Sequence, residues 1–297
     1  MQHIDRPQGL PTTMKHSSAS SILRSMRNAA SALALLLAAA GARGAEATPL
    51  RIVLPPLHTS AREHAAYFPQ LLALALEKTR GRDGPFEISY YDQELTSPRQ
   101  STELKNKGVI NLMWDGSNAQ REAELLPVRI SLLRELNDYR IFLIRREDRD
   151  KFRAIESLDA LRHLRAGAGV NWPSTAILRA NGLPVETSIA YEYLFPMLRV
   201  KRFDYMPRGI YEAWYEQQVH AADGIEVETT IFLHYPVPFY FFVNRDNVAL
   251  AARIERGLRM AQSDGSFDRL FNSIPAFRRS MDEIRAGRRR VFELKPL

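Results

Sequence analysis

The sequence predicts an α/β protein. Apolar runs of strand length alternate with segments of helical period, and the strand-to-helix junctions are rich in polar residues. No repeat, low-complexity segment or Gly/Ser linker divides the 297-residue chain. Alternation of this kind argues for sheets with parallel strands covered by helices. A hydrophobic share of 45% beside 25% charged residues is that of a globular chain with a sizeable core.

The first 47 residues read as a separate unit. Lys15, Arg24 and Arg27 form a basic stretch, and residues 29–40 (AASALALLLAAA) follow as an apolar run of 12. A membrane span needs about 20 such residues. Small residues at Ala40 and Ala42, Ala42 and Gly44, or Ala45 and Ala47 then offer cleavage sites within 42–47. This is the order of a secretory signal peptide, which predicts export to the periplasm as a soluble protein. The start stays open among Met1, Met14 and Met26.

The chain has no cysteine. Disulfides, zinc ribbons, iron–sulfur clusters, thiol catalysis and lipobox lipidation are thereby excluded. The formal charge is +7, but residues 1–47 hold five of the 41 basic residues and two of the 34 acids, leaving +4 over the rest. So mild an excess gives no reason to expect nucleic acid as a partner.

The elements of the body follow in order. Residues 51–54 (RIVL) form a strand closed by Pro55 and Pro56. Residues 61–79 are helical, with Leu71, Leu72, Ala75 and Leu76 on one face and Pro69 opening a segment. Phe86, Ile88 and Tyr90 alternate as in a half-buried strand, and residues 109–113 (VINLM) form a continuous apolar one. A helix over 119–125 starts at an Asn118 N-cap. Strands at 140–145 and 167–170 flank a helix capped by Ser157, and another helix starts after Asn171, Trp172, Pro173, Ser174 and Thr175. Residues 209–218 read as a helix begun at Arg208, and 231–233 and 239–243 as strands around Pro236 and Pro238. Leu250, Ile254, Leu258 and Ala261 mark the face of a long helix ended by Asp264 and Gly265, and a short helix spans 266–271. Arg288, Arg289 and Arg290 read as a solvated helix end.

Catalytic signatures are absent: there is no G-x-S-x-G, H-E-x-x-H or Walker loop, and Gly167-x-Gly169 lacks the rest of a dinucleotide fingerprint. His58, His64, His163, His220 and His234 are scattered, so neither a metal site nor a cofactor is expected. Glu226 and Glu228 share one face of an expected strand. What remains is three polar junctions, at 114–121, 171–175 and 207–209, where α/β sheets receive ligands.

Three stretches together resemble the family 3 extracellular solute-binding proteins, of the type II periplasmic kind. They are VINLMWDGSNAQREAELLPVRISLL, IESLDALRHLRAGAGVNWPSTAIL and VPFYFFVNRDNVALAARIERGLRMAQSDGSFDRLF. The resemblance covers about 50–275 and implies two α/β lobes joined by two crossing hinge strands around a central cleft. Lobe 1 would comprise 48–138 and 238–297, including a C-terminal helix, and lobe 2 would comprise 139–237.

It implies Arg121 as the ligand-carboxylate holder, with Trp114, Asp115, Ser117 and Asn118 around it, and Trp172, Ser174 and Thr175 opposite. The family's acid for an α-amino group is matched only weakly by Glu228, while Arg208 adds a second arginine. The expected ligand is therefore a small anionic or carboxylate-bearing solute. The expected partner is an inner-membrane ABC permease or a membrane sensor, with the protein a monomer. Other readings stay open: Arg121 as a solvated residue paired with Glu122 or Glu124, the tryptophans as core, Arg208 as a salt-bridge residue. In function, the alternatives are a dehydratase-like enzyme using Asp115 and Glu228, or a sensing receptor without transport.

Overall fold

The computed structural model describes residues 48–56 and 64–297; the expected signal segment and His58 lie outside the described residues. The strands are β1 (Leu50–Leu54), β2 (Phe86–Tyr90), β3 (Leu112–Gly116), β4 (Leu125–Val128), β5 (Tyr139–Arg145) and β6 (Ala166–Gly169), then β7 (Val185–Ser188), β8 (Tyr205–Gly209), β9 (Ile225–Val227), β10 (Ile231–His234), β11 (Phe239–Asn244) and β12 (Arg290–Glu293). The main helices are α1 (Tyr67–Lys78), α2 (Ser97–Lys105), α3 (Ala119–Glu124), α4 (Pro173–Ala180), α5 (Leu194–Arg199), α6 (Ile210–Val219), α7 (Val248–Ser263), α8 (Ser266–Ser273) and α9 (Pro275–Arg285).

Two α/β bodies result. In the first, β1 and β2 pair in parallel, and β11 lies between β3 and β4, antiparallel to both. The second is one sheet in the order β12-β10-β5-β8-β6-β7, with β9 also on β5. The expected parallel strands appear in β1–β2, β6–β7, β6–β8 and β10–β12. Around β5 and β11 the pairing is antiparallel instead. These two strands follow the points where the chain passes from one body to the other, so they enter against the direction of their neighbours.

Local physics sets the element ends. Asn118 accepts the Arg121 N–H at 2.8 Å and Ser157 the Ala160 N–H at 3.1 Å, both as expected of N-caps. The apolar run 109–113 begins its ladder only at Leu112. Asn111 departs from that ladder because its side chain takes the Val53 N–H and donates to the Arg51 carbonyl, both at 2.9 Å. An amide side chain thereby joins β1 to the start of β3 beside the backbone bond from the Asn111 N–H to the Val53 carbonyl at 3.1 Å. Helix α7 packs directly on α1 at Gly257, where a Cβ would overlap the Ala75 backbone.

One hydrophobic cluster runs through both bodies. It joins Leu71, Leu76, Leu258, Phe271 and Phe277 to Ile141, Leu143, Phe195, Met206 and Ile210. A second cluster fills the other face of the large sheet around Phe142, Tyr205, Tyr235 and Phe292.

The C-terminal segment, expected with the first lobe, ties the two bodies together. Phe277 of α9 packs on Tyr67 at 4.8 Å and on Tyr211 of α6 at 5.8 Å between ring centroids. Strand β12 then pairs with β10. The expectation of a solvated arginine run fails at Arg289, which is buried. Its guanidinium donates to Glu283 at 2.9 Å and to the Glu228 carbonyl at 2.5 Å. Edge pairing by β12 draws this residue under the sheet, where two carboxylates meet it.

Candidate inter-lobe site

The loop from β3 to α3 carries the first group of expected site residues. Trp114 is half-buried and stacks on Phe68 at 5.5 Å, which in turn stacks on Phe239 at 5.2 Å. Asp115 accepts the Gly116 N–H at 2.7 Å and forms an ion pair with Arg121 at 2.7 Å. Arg121 is buried against Phe242, donates to the Gly116 carbonyl and reaches Ser97 at 3.1 Å; its Nε has no hydrogen-bond partner. Neither Glu122 nor Glu124 is its partner: Arg129 pairs with Glu122, and Lys105 with Glu124. The Ser117 hydroxyl donates to Glu122 and holds that carboxyl below its usual range.

The second group surrounds the start of α4. Gly169 lacks a side chain where the Trp172 indole lies, 2.5 Å from the position of a Cβ. Thr175 donates to the Gly169 carbonyl at 2.7 Å, so its hydroxyl closes the strand-to-helix turn. Ser174 stands beside the fully buried Tyr235. The two groups meet at Gly116: a Cβ there would lie 3.2 Å from Val237 and 3.7 Å from Pro173. The loop of one body thus touches the helix start of the other at ordinary contact distance, while Val237 is the closer neighbour that a side chain at this position would have to displace.

Arg208 is in β8, not at the head of a helix. The strand continues through it because its neighbours Pro207 and Gly209 are still registered with β5. Its guanidinium is buried and grips Glu216 in a fork at 2.8 and 2.7 Å, with Glu212 at 3.0 Å. Burial works against that charge, but the carboxylates of Glu212 and Glu216 outweigh it and hold the arginine protonated. The fork lies 4.6 Å from the Trp172 ring and 5.4 Å from that of Tyr191, whose hydroxyl also bonds Glu216 at 2.7 Å.

Glu228 stands apart from these groups. Its carboxylate accepts the Thr230 and Ile231 N–H groups at 2.6 and 2.8 Å in the break between β9 and β10. Glu226 does not share its setting, being paired with Arg149 at 2.8 Å on the surface. The strand ends at Val227, so the alternation that would put both acids on one face stops between them.

Gly116 thus comes near Pro173 at the start of α4, and Arg208 near Trp172, while Trp114 packs on Phe68 and Glu228 is held by Thr230 and Ile231. Sequence reasoning missed Ser97, Arg140, Tyr191, Glu212, Glu216 and Tyr235. Of these, only the acids left a signal: Glu212 and Glu216 follow Arg208 at spacings of four and eight. That period brings both carboxylates to one helix face, above the arginine. Among the described residues no group of three or more His, Asp or Glu is placed to hold a metal ion, and no helix is long and apolar enough to cross a membrane.

No family model matches the chain, and no curated protein is significantly similar to it in sequence. Solved structures are similar in fold. A double mutant of the VFT2 domain of Bordetella pertussis BvgS matches at TM-score 0.57 and 17% identity, over 77% of this chain and 92% of that one. An ancestral arginine-binding protein bound to glutamine matches at TM-score 0.56 and 14% identity, over 77% and 99%. A histidine kinase sensor domain with similarity to periplasmic binding proteins matches at TM-score 0.56 and 11% identity, over 77% and 97%. The architecture is therefore the two-lobed α/β fold of type II periplasmic binding proteins.

Proposed function

We propose that the protein is exported, holds a small carboxylate-bearing solute between its lobes and presents the closed form to a membrane transporter or sensor. The observation that carries this reading is the meeting of the Trp114–Asn118 loop with the start of α4 at Gly116 and Pro173, between two lobes of this fold. Trp114 and Trp172 give the site aromatic walls, and Ser174 gives it a hydroxyl. Contacts made only in the closed arrangement would shift the population of closed molecules, which is the state a partner reads. An arginine-binding protein and a histidine kinase sensor domain among the structural neighbours support a small-molecule-binding role.

A dehydratase-like reading keeps one structural neighbour, an ancestral amino-acid-binding protein that is a precursor of cyclohexadienyl dehydratase, but its two candidate acids are engaged elsewhere. Asp115 is paired with Arg121, and Glu228 is tied to Thr230, Ile231 and Arg289. A thermal-shift screen against amino acids, mono- and dicarboxylates and polyamines tests the reading. A ligand at about 100 times its Kd stabilises the folded state by about 2.7 kcal/mol. A response to carboxylates is expected. Preference for a polyamine contradicts the ligand class, and no response to any solute contradicts the binding role.

A further inference from the structure

Most buried arginines of this protein carry their own carboxylate. Arg121 has Asp115, Arg145 has Asp148, Arg208 has Glu212 and Glu216, and Arg289 has Glu283 and Glu228. Arg253 has none, but Thr79 and the Asp83 and Gly84 carbonyls satisfy each of its three nitrogens at 2.6–3.1 Å.

Arg140 is different. It is 7% exposed, in the first turn of chain after the crossing into lobe 2, and among the described residues no carboxylate forms an ion pair with it. Nη1 donates to the carbonyls of Asn137 and Tyr139, and Nη2 only grazes Asn137 Oδ1 at 3.5 Å. Asp138 is near enough to feel the charge, but its carboxylate is taken by the Val237 N–H at 2.9 Å. A guanidinium has five donors, and the bonds to Asn137 and Tyr139 engage three of them, all with neutral oxygens.

Its surroundings also have unused polar capacity. The guanidinium carbon lies 5.2 Å from the ring of Tyr235, on the second crossing segment. Tyr235 is fully buried, and its hydroxyl faces Arg140 and Ser174 without a well-formed hydrogen bond to either. Burial pushes that hydroxyl up, with Arg140 and Ser174 close enough to oppose the shift. Ser174 belongs to the first turn of α4, where backbone N–H groups lack intrahelical acceptors. Val237, two residues beyond Tyr235, meets Gly116 of the other lobe, so the cluster sits at the floor of the inter-lobe contact.

We propose that Arg140, with the hydroxyls of Tyr235 and Ser174, forms the anchor for the anionic group of the bound solute. The inference rests on the solute-binding reading above and deepens it. Arg121, the residue that the family resemblance assigns to this task, already has an internal carboxylate on its fork. A carboxylate or phosphate oxygen at Arg140 would give that buried cation a counter-charge and the Tyr235 hydroxyl an acceptor.

The test uses the purified full chain titrated calorimetrically with succinate, L-glutamate and inorganic phosphate, in the wild type and in Tyr235→Phe, Arg140→Lys and Arg121→Gln. Tyr235→Phe removes a hydroxyl that makes no well-formed hydrogen bond in the free protein, so its free-state melting temperature should stay close to that of the wild type. Its affinity for a probe that binds the wild type should fall about tenfold. Arg140→Lys keeps the charge but loses the fork and should weaken the same probe similarly. Whether the organic acids or phosphate bind identifies the source of the anion. Wild-type affinity in Tyr235→Phe and Arg140→Lys, with loss in Arg121→Gln, overturns the anchor and leaves the binding role standing. No binding of any probe to the wild type overturns the anchor together with the carboxylate reading.

Discussion

Arg208→Met separates a structural arginine from a ligand-facing one. Arg208 and Glu216 have side chains 6% and 2% exposed, and Glu212 lies 3.0 Å from the same guanidinium. Removing the cation leaves two carboxylates facing each other with no counter-charge. Breaking a buried pair in this way costs about 3–5 kcal/mol. For a protein of this size each kcal/mol moves the melting temperature by about 2–4 °C, so a drop of about 6–20 °C is expected. Circular dichroism melts and urea titrations at neutral pH would measure it. Adding Glu216→Leu should recover much of the loss, because Glu212, at 14% exposure, can turn to water. A loss below about 1 kcal/mol would refute the reasoning and return Arg208 to the ligand.

Other consequences are as direct. Gly257→Ala should cost about 1–3 kcal/mol or more, since the added carbon meets the Ala75 backbone rather than a movable side chain; an unchanged melting temperature would contradict the α1–α7 packing. Arg289→Ala should cost about 3–5 kcal/mol by stranding the buried Glu228 carboxylate, and Arg288→Ala, which is exposed, less than about 1 kcal/mol. Glu122 is held low by its Ser117 hydrogen bond, and Asp204 by Lys151 and the Arg165 N–H despite its burial. Folded values below unfolded ones mean that this stability is present above about pH 4 and is lost as pH falls through the depressed values. Asp138 runs the other way, raised by burial, so Asp138→Asn should be neutral or stabilising at pH 7 and lose that advantage in acid. Urea midpoints against pH read both signs.

The parts of the fold that rest on local rules were legible in the sequence. Alternation in β2, the face of α7 and the caps at Asn118 and Ser157 each depend on residues within one element. The parts that rest on distant partners were not. Asn111 sits inside an apolar run, and only the approach of β1 gives its side-chain amide backbone partners. Arg289 reads as a surface residue until β12 pairs with β10 and brings it beneath Glu228. At the candidate site, the sequence singled out the junctions at 114–121, 171–175 and 207–209, the first two of which touch at Gly116 and Pro173, but could not say which arginine was already neutralised. That depends on Asp115 folding back on Arg121, and on Glu216 coming two helical turns round to Arg208. Arg140 gave no signal, because an arginine opening an apolar strand looks like its exposed end.

The account's central claim is that the meeting of the two lobes is a solute site. Isothermal titration of the purified protein with amino acids and dicarboxylates tests it most directly, with intrinsic fluorescence of Trp114 and Trp172 read in the same samples. The expected result is saturable binding of at least one carboxylate, one molecule per chain, with a tryptophan change that Trp172→Phe diminishes. Absence of heat and of fluorescence change across the whole panel would contradict it.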